Sequence, residues 1–262
     1  MLLDELRRAF IALGYFTRAP IPAWVGWSDR ELDRAARYFP LIGAVVGGVA
    51  AAALLAGARL WPVSIAVALS MLCTLLFTGG FHEDGLADSA DGFGGGATRE
   101  RVLEIMRDSR IGSFGAIALV LVLLTKFAAL WEIARLSLSH AALGLVIAHA
   151  ASRGTGLLVM ALLPYARPDE QQAKAKPVAQ GIGPREWITG ALFAVAPALL
   201  ACLGGAIGGR TLLTLIATCG VVLLAATRYF RSRIDGYTGD CLGATQQVAE
   251  IAIYLVLLAA LR

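Results

Sequence analysis

Long apolar stretches alternate with polar connections along most of this chain. Each stretch is close to the roughly 20 residues that an α-helix needs to cross a bilayer, whereas barrel strands would be about 10 residues of alternating pattern. Seven spans are predicted, over residues 40–60, 62–80, 112–131, 140–163, 187–208, 211–228 and 243–261. The predicted fold is therefore all-α: one polytopic transmembrane domain over residues 1–262, with about seven transmembrane helices.

Composition supports this class. Of the 262 residues, 58% are hydrophobic and 16% are charged, and the mean hydropathy is +0.70. Soluble domains are about 45–50% apolar and about 25% charged, so a cytosolic enzyme, a disordered protein and a disulfide-stapled secreted domain are all excluded. The four cysteines form no Cys-x-x-Cys pair and the three histidines lie far apart, so no zinc site is predicted.

The polar connections carry most of the positive charge. Residues 1–39 hold six Lys and Arg, 81–111 hold four, 164–186 hold four and 228–242 hold three, whereas the opposite connections hold four in all. This asymmetry predicts that the N-terminus and the long connections face the cytoplasm. The net charge of +4 is therefore attributed to these connections and not to nucleic-acid binding.

Residues 1–39 are predicted to form an interfacial N-terminal segment. Leu2, Leu3, Leu6, Phe10 and Leu13 recur at helical spacing, which is typical of an amphipathic helix lying on a membrane surface. The polar, proline-containing remainder of this segment is interpreted as a linker to the first span.

Candidate functional residues are most concentrated in the stretch FHEDGLADSADGFGGG. Asp84, Asp88 and Asp91 follow each other at i, i+4 and i+7, so a helix would place them on one face at the end of the second span. A divalent cation relieves the repulsion between such carboxylates, and oxygen ligands favour Mg²⁺ or Mn²⁺. We expect Gly92 and Gly94–Gly96 to turn the backbone sharply beside a ligand. The alternative is an acidic, solvated helix cap.

Basic residues follow this motif. A short surface helix is predicted, with Thr98 as its N-cap, and Arg107, Asp108 and Arg110 lie just beyond its apolar face. Two guanidiniums beside an acidic metal site suggest a diphosphate clamp, and contact with anionic lipid is the alternative. Arg153 lies inside the fourth span, so it is either a substrate ligand or the partner of an internal acid.

Three further polar side chains fall within predicted spans. Lys126 is interpreted as snorkelling towards the outer interface, and His149 as a packed core histidine. Glu250, with Gln246 one turn before it, forms a polar stripe on the last span. Glu250 is therefore either a further ligand of the site or a snorkelling acid.

Two connections supply the remaining candidates. Tyr165 and Arg167 begin the polar segment 164–186, which is either a loop that closes over a ligand or an ordinary linker. Asp240 lies in a tight polar turn within the second cytoplasmic motif, residues 228–242. Acids and arginines from several connections thus favour metal-assisted displacement at a diphosphate.

Four motifs carry a family resemblance: FTGGFHEDGLADSADG, RVLEIMRDSRIGSFG, SRGT and TGDCLGA. They closely resemble the cobalamin 5′-phosphate synthase family, also called the adenosylcobinamide-GDP ribazoletransferases. The resemblance runs from the segments FTRAPIP and YFPLIG to the last span. It implies that adenosylcobinamide-GDP reacts with α-ribazole or its 5′-phosphate, giving adenosylcobalamin or its 5′-phosphate and GMP, in the last stage of cobalamin biosynthesis.

The resemblance also implies cofactor, location and partners. Magnesium would be the cofactor, and the protein would be multi-pass in a bacterial inner membrane with its active site facing the cytoplasm. Its partners would be the two small-molecule substrates and the lipid bilayer, with no nucleic acid. A homo-oligomer, or association with other corrinoid-assembly enzymes, stays open. The corrinoid is expected to dock beside residues 164–186.

The resemblance implies roles residue by residue. His82 opens the acidic motif as a base or a supporting partner, while Asp84, Asp88, Asp91 and Asp240 are the catalytic acids that would bind magnesium. Seven residues are expected to bind substrate: Arg107, Asp108, Arg110, Arg153, Tyr165, Arg167 and Glu250. Glu83 and Asp235 receive no role, because the first is commonly apolar in relatives and the second lies outside the Thr-Gly-Asp core.

Two alternatives differ in their products. A CDP-alcohol phosphotransferase also uses phased aspartates at the membrane border, but here Ala-Asp follows Asp84-Gly-Leu where that class has Ala-Arg. A transporter or cation channel with an acidic mouth is the alternative outside enzymes. A metal-dependent release assay distinguishes the three. The ribazoletransferase would release GMP, the CDP-alcohol phosphotransferase would release CMP, and a transporter would release neither.

Overall fold

The computed structural model describes residues 2–167 and 182–262, and their regular structure is helical. Eleven α-helices are formed in these ranges: α1 Leu2–Phe16, α2 Asp29–Ala35, α3 Phe39–Gly57, α4 Val63–Thr78, α5 Phe81–Gly95, α6 Arg99–Ile105, α7 Ser113–Leu136, α8 Leu138–Leu162, α9 Pro184–Leu203, α10 Gly209–Ile234 and α11 Gly239–Leu261. Two 3₁₀ turns, Ala23–Val25 and Ala36–Tyr38, precede α2 and α3.

The predicted polytopic all-α fold is confirmed. Six helices in the described ranges are long and apolar enough to cross a membrane, namely the stretch ending in α3, α7, α8, α9, α10 and α11. Helices α4 and α5 pass the same test only as a pair, with a bend of 87° between them. Because α5 carries four acids in 15 residues, we take α4 as the apolar span and α5 as a helix outside it.

Helix α8 is the centre of the bundle. Sixteen of its 25 residues are buried, and α3, α9, α10 and α11 surround it. Glycines allow α3 to approach closely: a Cβ added to Gly43 would collide with the carbonyl oxygen of His149, and one on Gly47 would lie 2.5 Å from that of Leu145. Without a hydrophobic force between helices in lipid, such small-residue contacts hold spans together.

The sharp turn lies before the acidic motif and not within it. Gly79 and Gly80 have φ of 74° and 71°, the left-handed region that glycine adopts without strain, and there the chain bends from α4 into α5. The expected turn at Gly92 and Gly94–Gly96 was wrong, because α5 continues through to Gly95. Gly92 instead packs against α6, where a Cβ would lie 2.6 Å from Met106 Cγ.

The N-terminal segment is more ordered than a helix followed by a linker. Helix α1 forms as predicted, with Leu3 and Leu6 exposed. The expected linker contains α2, which continues through a 3₁₀ turn into α3. Ion pairs between Glu5 and Arg37 (2.7 Å) and between Arg8 and Glu31 (2.9 Å) join α1 to this region.

Candidate active site

Four pieces of the chain meet at one end of the bundle, which we call the motif end: α5, α6, residues 164–167 and residues 235–238. Arg99 at the start of α6 donates through Nε to Ile234 O (3.0 Å) and through Nη2 to Ala166 O (2.8 Å). Tyr165 and Tyr237 form a parallel bridge, in which Ala166 N donates to Tyr237 O at 2.8 Å. These hydrogen bonds to backbone carbonyls fix the positions of residues 164–167 and 235–238 relative to α6.

The crossing of α5 and α11 brings two acidic motifs together. Gly85 and Gly243 lie at this crossing: a Cβ on Gly85 would lie 3.0 Å from Asp240 O and 3.3 Å from Gly243 Cα. A side chain at either position would push its neighbours away by a few tenths of an ångström, so glycine at both positions permits this close crossing. The crossing places Asp84 and Asp88 near Asp240, and the role of these three acids as metal ligands stays a prediction.

The pKa of Asp88 reflects both its burial and the neighbouring carboxylates. Its pKa is raised to about 7, chiefly by partial burial and then by the charges of Asp240, Asp84 and Asp91, in that order of size. Arg167 is the cation that opposes this effect. A group of acids so placed binds a divalent cation or a proton in preference to standing fully ionised.

Asp240 sits in the first turn of α11. Thr238 caps this helix, accepting from Cys241 N, and its hydroxyl also donates to Asp240 Oδ2 at 3.2 Å. Arg167 Nη2 lies 3.8 Å from the same oxygen and donates to Leu103 O at 3.2 Å. Arg167 is largely buried and its Nε has no partner within the described part of the chain, so it faces the acids as a fixed positive charge.

Asp91 is engaged differently from the other acids of its motif. Its Oδ2 accepts from Gly112 N at 2.7 Å and its Oδ1 accepts from Gly115 N at 2.8 Å. Both oxygens thereby satisfy free N–H groups at the first turn of α7, as an N-capping side chain does. The predicted role of Asp91 as a metal ligand stays a prediction, and capping of α7 is the role that its contacts supply.

The remaining acids offer carboxylate oxygens, which are the ligands that magnesium prefers. Within residues 2–167 and 182–262, no three His, Cys, Asp or Glu side chains lie close enough together to hold a metal ion. Magnesium commonly takes only one or two protein carboxylates and completes its octahedron with waters and substrate phosphates. Asp84, Asp88 and Asp240 are oxygen donors of this kind, and they lie near the α5–α11 crossing.

A buried polar cluster lies deeper in the bundle. Lys126 Nζ is 3.1 Å from Glu250 Oε1 and donates to Gln247 Oε1 at 2.7 Å, and Tyr254 OH donates to Glu250 Oε1 at 3.0 Å. Lys126 is only 5% exposed, so the predicted snorkelling was wrong: charges on α11 draw it inward. Glu250 is 1% exposed, so it does not snorkel either.

The cluster extends towards the acidic helix. Gln247 Nε2 donates to Glu83 Oε1 at 2.9 Å, which ties α11 to α5 directly beside Asp84. His149 is buried as predicted, with its Nε2 3.4 Å from Glu250 Oε1, and Arg153 Nη1 donates to His149 O at 3.0 Å. Glu83, which sequence reasoning set aside, therefore helps to hold the acidic helix in place.

His82 is buried at the start of α5. Its ring stacks on Phe16 of α1, with centroids 5.3 Å apart and planes 14° apart, and it is 4% exposed. It lines a pocket together with Arg153. Its predicted role as a base or supporting partner stays a prediction.

The arginine segment after α6 lies at the surface. Thr98 caps α6 as predicted, accepting from Arg101 N. Arg110 pairs with Asp108 through Nη2 and Oδ2 at 2.5 Å, and this contact lowers the pKa of Asp108 to about 2. Arg107 is exposed, as is Arg110, so both guanidiniums are accessible to a ligand at the motif end.

Comparisons with known proteins identify the family of this chain. The sequence profile of the cobalamin-5-phosphate synthase family matches residues 8–258. This chain belongs to that family. A protein of Leptothrix cholodnii named adenosylcobinamide-GDP ribazoletransferase is 49% identical over 257 residues, which cover 97% of this chain and 96% of the relative. Proteins of the same name from Ralstonia nicotianae (48% identical; 98% and 97% covered) and Shewanella amazonensis (47%; 97% and 95%) follow. No solved structure matches.

Two arginines of this cobalamin-5-phosphate synthase family member were missed by sequence reasoning. Arg99 holds the connections described above, and Arg233 donates through Nη2 to Phe93 O (3.1 Å) and Gly96 O (2.7 Å) at the end of α5. Both lie in segments that the sequence pattern predicted as polar connections, where arginine is common, so their local sequence carries no signal of these contacts. Part of the segment expected to dock the corrinoid, residues 168–181, lies outside the described residues.

Proposed function

We propose that this chain is a magnesium-dependent adenosylcobinamide-GDP ribazoletransferase. It joins adenosylcobinamide-GDP to α-ribazole or α-ribazole 5′-phosphate, and it releases GMP with adenosylcobalamin or its 5′-phosphate. Relatives of this name at 47–49% identity over nearly the whole chain support the assignment. Membership of the cobalamin-5-phosphate synthase family supports it as well.

One structural observation gives the proposal its main support. The glycine crossing at Gly85 and Gly243 sets Asp240 beside Asp84 and Asp88, with Arg167 as the neighbouring cation. Acids grouped in this way suit a reaction at a diphosphate, because they hold the cation that neutralises phosphoryl oxygens. Arg107 and Arg110 are exposed at the same end of the bundle, and guanidiniums bind phosphate oxygens through paired hydrogen bonds.

The reaction is a displacement at phosphorus. A ribose hydroxyl oxygen of the acceptor forms a bond to the corrinoid-linked phosphorus, and the bond from that phosphorus to the GMP oxygen breaks, with its electrons leaving on GMP. The hydroxyl proton passes to a base, for which His82 is the candidate. Magnesium, held by one or two of the carboxylates of Asp84, Asp88 and Asp240, would supply charge neutralisation.

We also propose that the motif end faces the cytoplasm of a bacterial inner membrane. Arginines gather at this end, in α6, in residues 164–167 and in the last turns of α10. Positive residues in short connections favour the cytoplasmic side.

The test uses purified full-length protein in lipid nanodiscs. Adenosylcobinamide-GDP and α-ribazole are supplied with and without Mg²⁺, and GMP and the corrinoid product are followed by mass. We expect metal-dependent formation of both products. Asp84→Asn should lower the rate by about 100-fold or more, the scale on which single electrostatic groups act on a transition state.

Asp235→Asn is the matched control. Asp235 ends α10 in the left-handed conformation with φ of 56°, which Asn tolerates, and its side chain is 82% exposed. We expect its rate to stay within about twofold of the original, as for surface substitutions generally. A folded protein that releases no GMP under any metal condition would contradict the proposal. Release of CMP from a CDP-alcohol would instead identify a CDP-alcohol phosphotransferase.

A further inference from the structure

A long groove lies between α5, α10 and α11 on the surface of the bundle. It is open along one side and holds about 760 Å³. Its α10 wall runs from Val221 to Phe230, which corresponds to about 14 Å of helix at 1.5 Å per residue. Because the hydrocarbon core of a bilayer is roughly 30 Å thick, the groove is about as long as one leaflet's share of that core.

The walls of this groove are almost entirely apolar. Val221, Ala225 and Tyr229 of α10 and Val248 of α11 line it and are exposed. Helix α10 is also the least buried of the six single-helix spans in the described ranges. Apolar surface of this extent is unfavourable in contact with water, so in a membrane we expect apolar groups to fill the groove.

The groove faces away from the candidate active site. Four residues of α5 line it at helical spacing: Leu86, Ser89, Ala90 and Phe93. At about 100° per residue, Asp84 and Asp88 lie on the opposite side of α5. The groove therefore does not hold the diphosphate of a substrate bound at those acids, and its occupant is a different molecule.

An arginine closes the motif end of the groove. Arg233 lies over the rings of Phe93 and Tyr229, with its guanidinium carbon 5.7 Å from each centroid. Its Nη1 also donates to Tyr229 OH at 3.3 Å. Tyrosine and arginine at the end of an apolar span are typical of the depth at which lipid headgroups lie.

Further positive charge surrounds this end. Arg228 and Arg231, in the last two turns of α10, are exposed. The acid that follows them, Asp235, lies 3.8 Å from Arg99. Arginines thus outnumber acids where α10 ends, and an anionic headgroup complements them.

One buried hydroxyl in the groove has an unmet hydrogen bond. Ser89 is 3% exposed, and its Oγ has no partner among the described residues. It lies one turn before Phe93, which stacks on Phe230 near the motif end with centroids 5.7 Å apart. The ester carbonyl of a glycerolipid lies just below its headgroup and accepts such a bond. A bare hydrocarbon chain would leave the hydroxyl unpaired.

We propose that this groove binds one acyl chain of an anionic glycerophospholipid from the leaflet at the motif end. The chain lies along α10, Ser89 donates to its ester carbonyl, and the phosphate lies near Arg228 and Arg231. The bound lipid then supports α5 from the side opposite its acids. This site does not depend on the proposed transferase activity.

Native mass spectrometry of the delipidated full-length protein in detergent micelles tests the lipid class. The protein is titrated with dioleoyl phosphatidylglycerol and with dioleoyl phosphatidylcholine, which has the same chains and no net charge. We expect one tight site that prefers phosphatidylglycerol by about tenfold or more, because each arginine near the headgroup contributes about fivefold. Equal affinity for the two lipids overturns the proposal.

A substitution that fills the groove assigns the site. Ala225→Phe places a ring in the groove at an exposed position and should weaken phosphatidylglycerol binding by at least tenfold. Ala52→Phe is the matched control, since Ala52 is exposed on α3 outside the groove, and its affinity should stay within twofold. Unchanged binding by Ala225→Phe overturns the proposal. So does a two-chain mass that Ala225→Phe reduces to one chain with lipid binding intact, which assigns the groove to a second copy.

The hydrogen bond from Ser89 is tested with a dialkyl ether analogue of phosphatidylglycerol, which lacks both ester carbonyls. We expect the original protein to prefer the ester lipid by about threefold or more, the scale of one hydrogen bond, and Ser89→Ala to bind both lipids equally. Ser89→Ala removes an unpaired buried hydroxyl, so it should fold as well as the original. An ester preference that persists in Ser89→Ala overturns the placement of the lipid in this groove.

Discussion

Replacing Lys126 with methionine tests the buried cluster that the sequence pattern did not predict. Lys126 and Arg153 balance the charges of Glu250 and Glu83 within this cluster, and Lys126 makes the shortest ionic contact to Glu250. Methionine has a similar length and no charge. The substitution therefore leaves Glu250 buried, 1% exposed, with its nearest cation removed.

The expected loss follows from this burial. Removing one partner of a buried ion pair costs about 3–5 kcal/mol, because the remaining charge is neither solvated nor compensated. For chains of this size about 1 kcal/mol corresponds to a shift of roughly 2–4 °C in Tm. Lys126→Met should therefore lower Tm by roughly 6–20 °C. Adding Glu250→Gln removes the stranded charge and should recover a large part of the loss.

Thermal unfolding in detergent micelles measures these shifts. Arg135→Met is the matched control, since Arg135 lies on the same helix, is 59% exposed on its side chain and pairs with Glu132 only at the surface. An exposed pair is worth about 0–1 kcal/mol, so this variant should change Tm little. If Lys126→Met is as stable as the original, Lys126 reaches the membrane interface and the inward placement is refuted.

Two further substitutions test packing and capping. Asp91→Ala should destabilise the protein by about 1–2 kcal/mol in the same unfolding assay, because two N–H groups at the start of α7 lose their acceptor. Asp91→Asn should cost less. Loss of GMP release in a fully stable Asp91→Asn variant would instead identify Asp91 as a metal ligand. Gly43→Ala should cost about 1–3 kcal/mol by forcing α3 away from α8, whereas Gly48→Ala, with nothing within 4 Å of its added Cβ, should be neutral or slightly stabilising. Equal effects of the two glycine variants would contradict the close approach at Gly43.

The sequence determined what depends on local pattern. The length of each apolar stretch decided the number of spans, because the bilayer fixes how many residues a helix needs to cross it. The i, i+4, i+7 spacing of Asp84, Asp88 and Asp91 was correctly interpreted as helical, and Thr98 was correctly identified as a cap. Both depend on neighbours within a few residues, so the sequence contains them.

The tertiary structure alone decided which groups meet. Lys126 and Gln247 are 121 residues apart, and nothing local to Lys126 shows that α11 places an acid and an amide opposite it. Likewise, Asp91 shares the helix face of Asp84 and Asp88 but is captured by the start of α7. A sequence pattern gives the position of a residue along its helix, whereas its partners depend on how helices pack around each other. In a membrane that packing is set by close contacts of small residues and by the need to pair every buried charge.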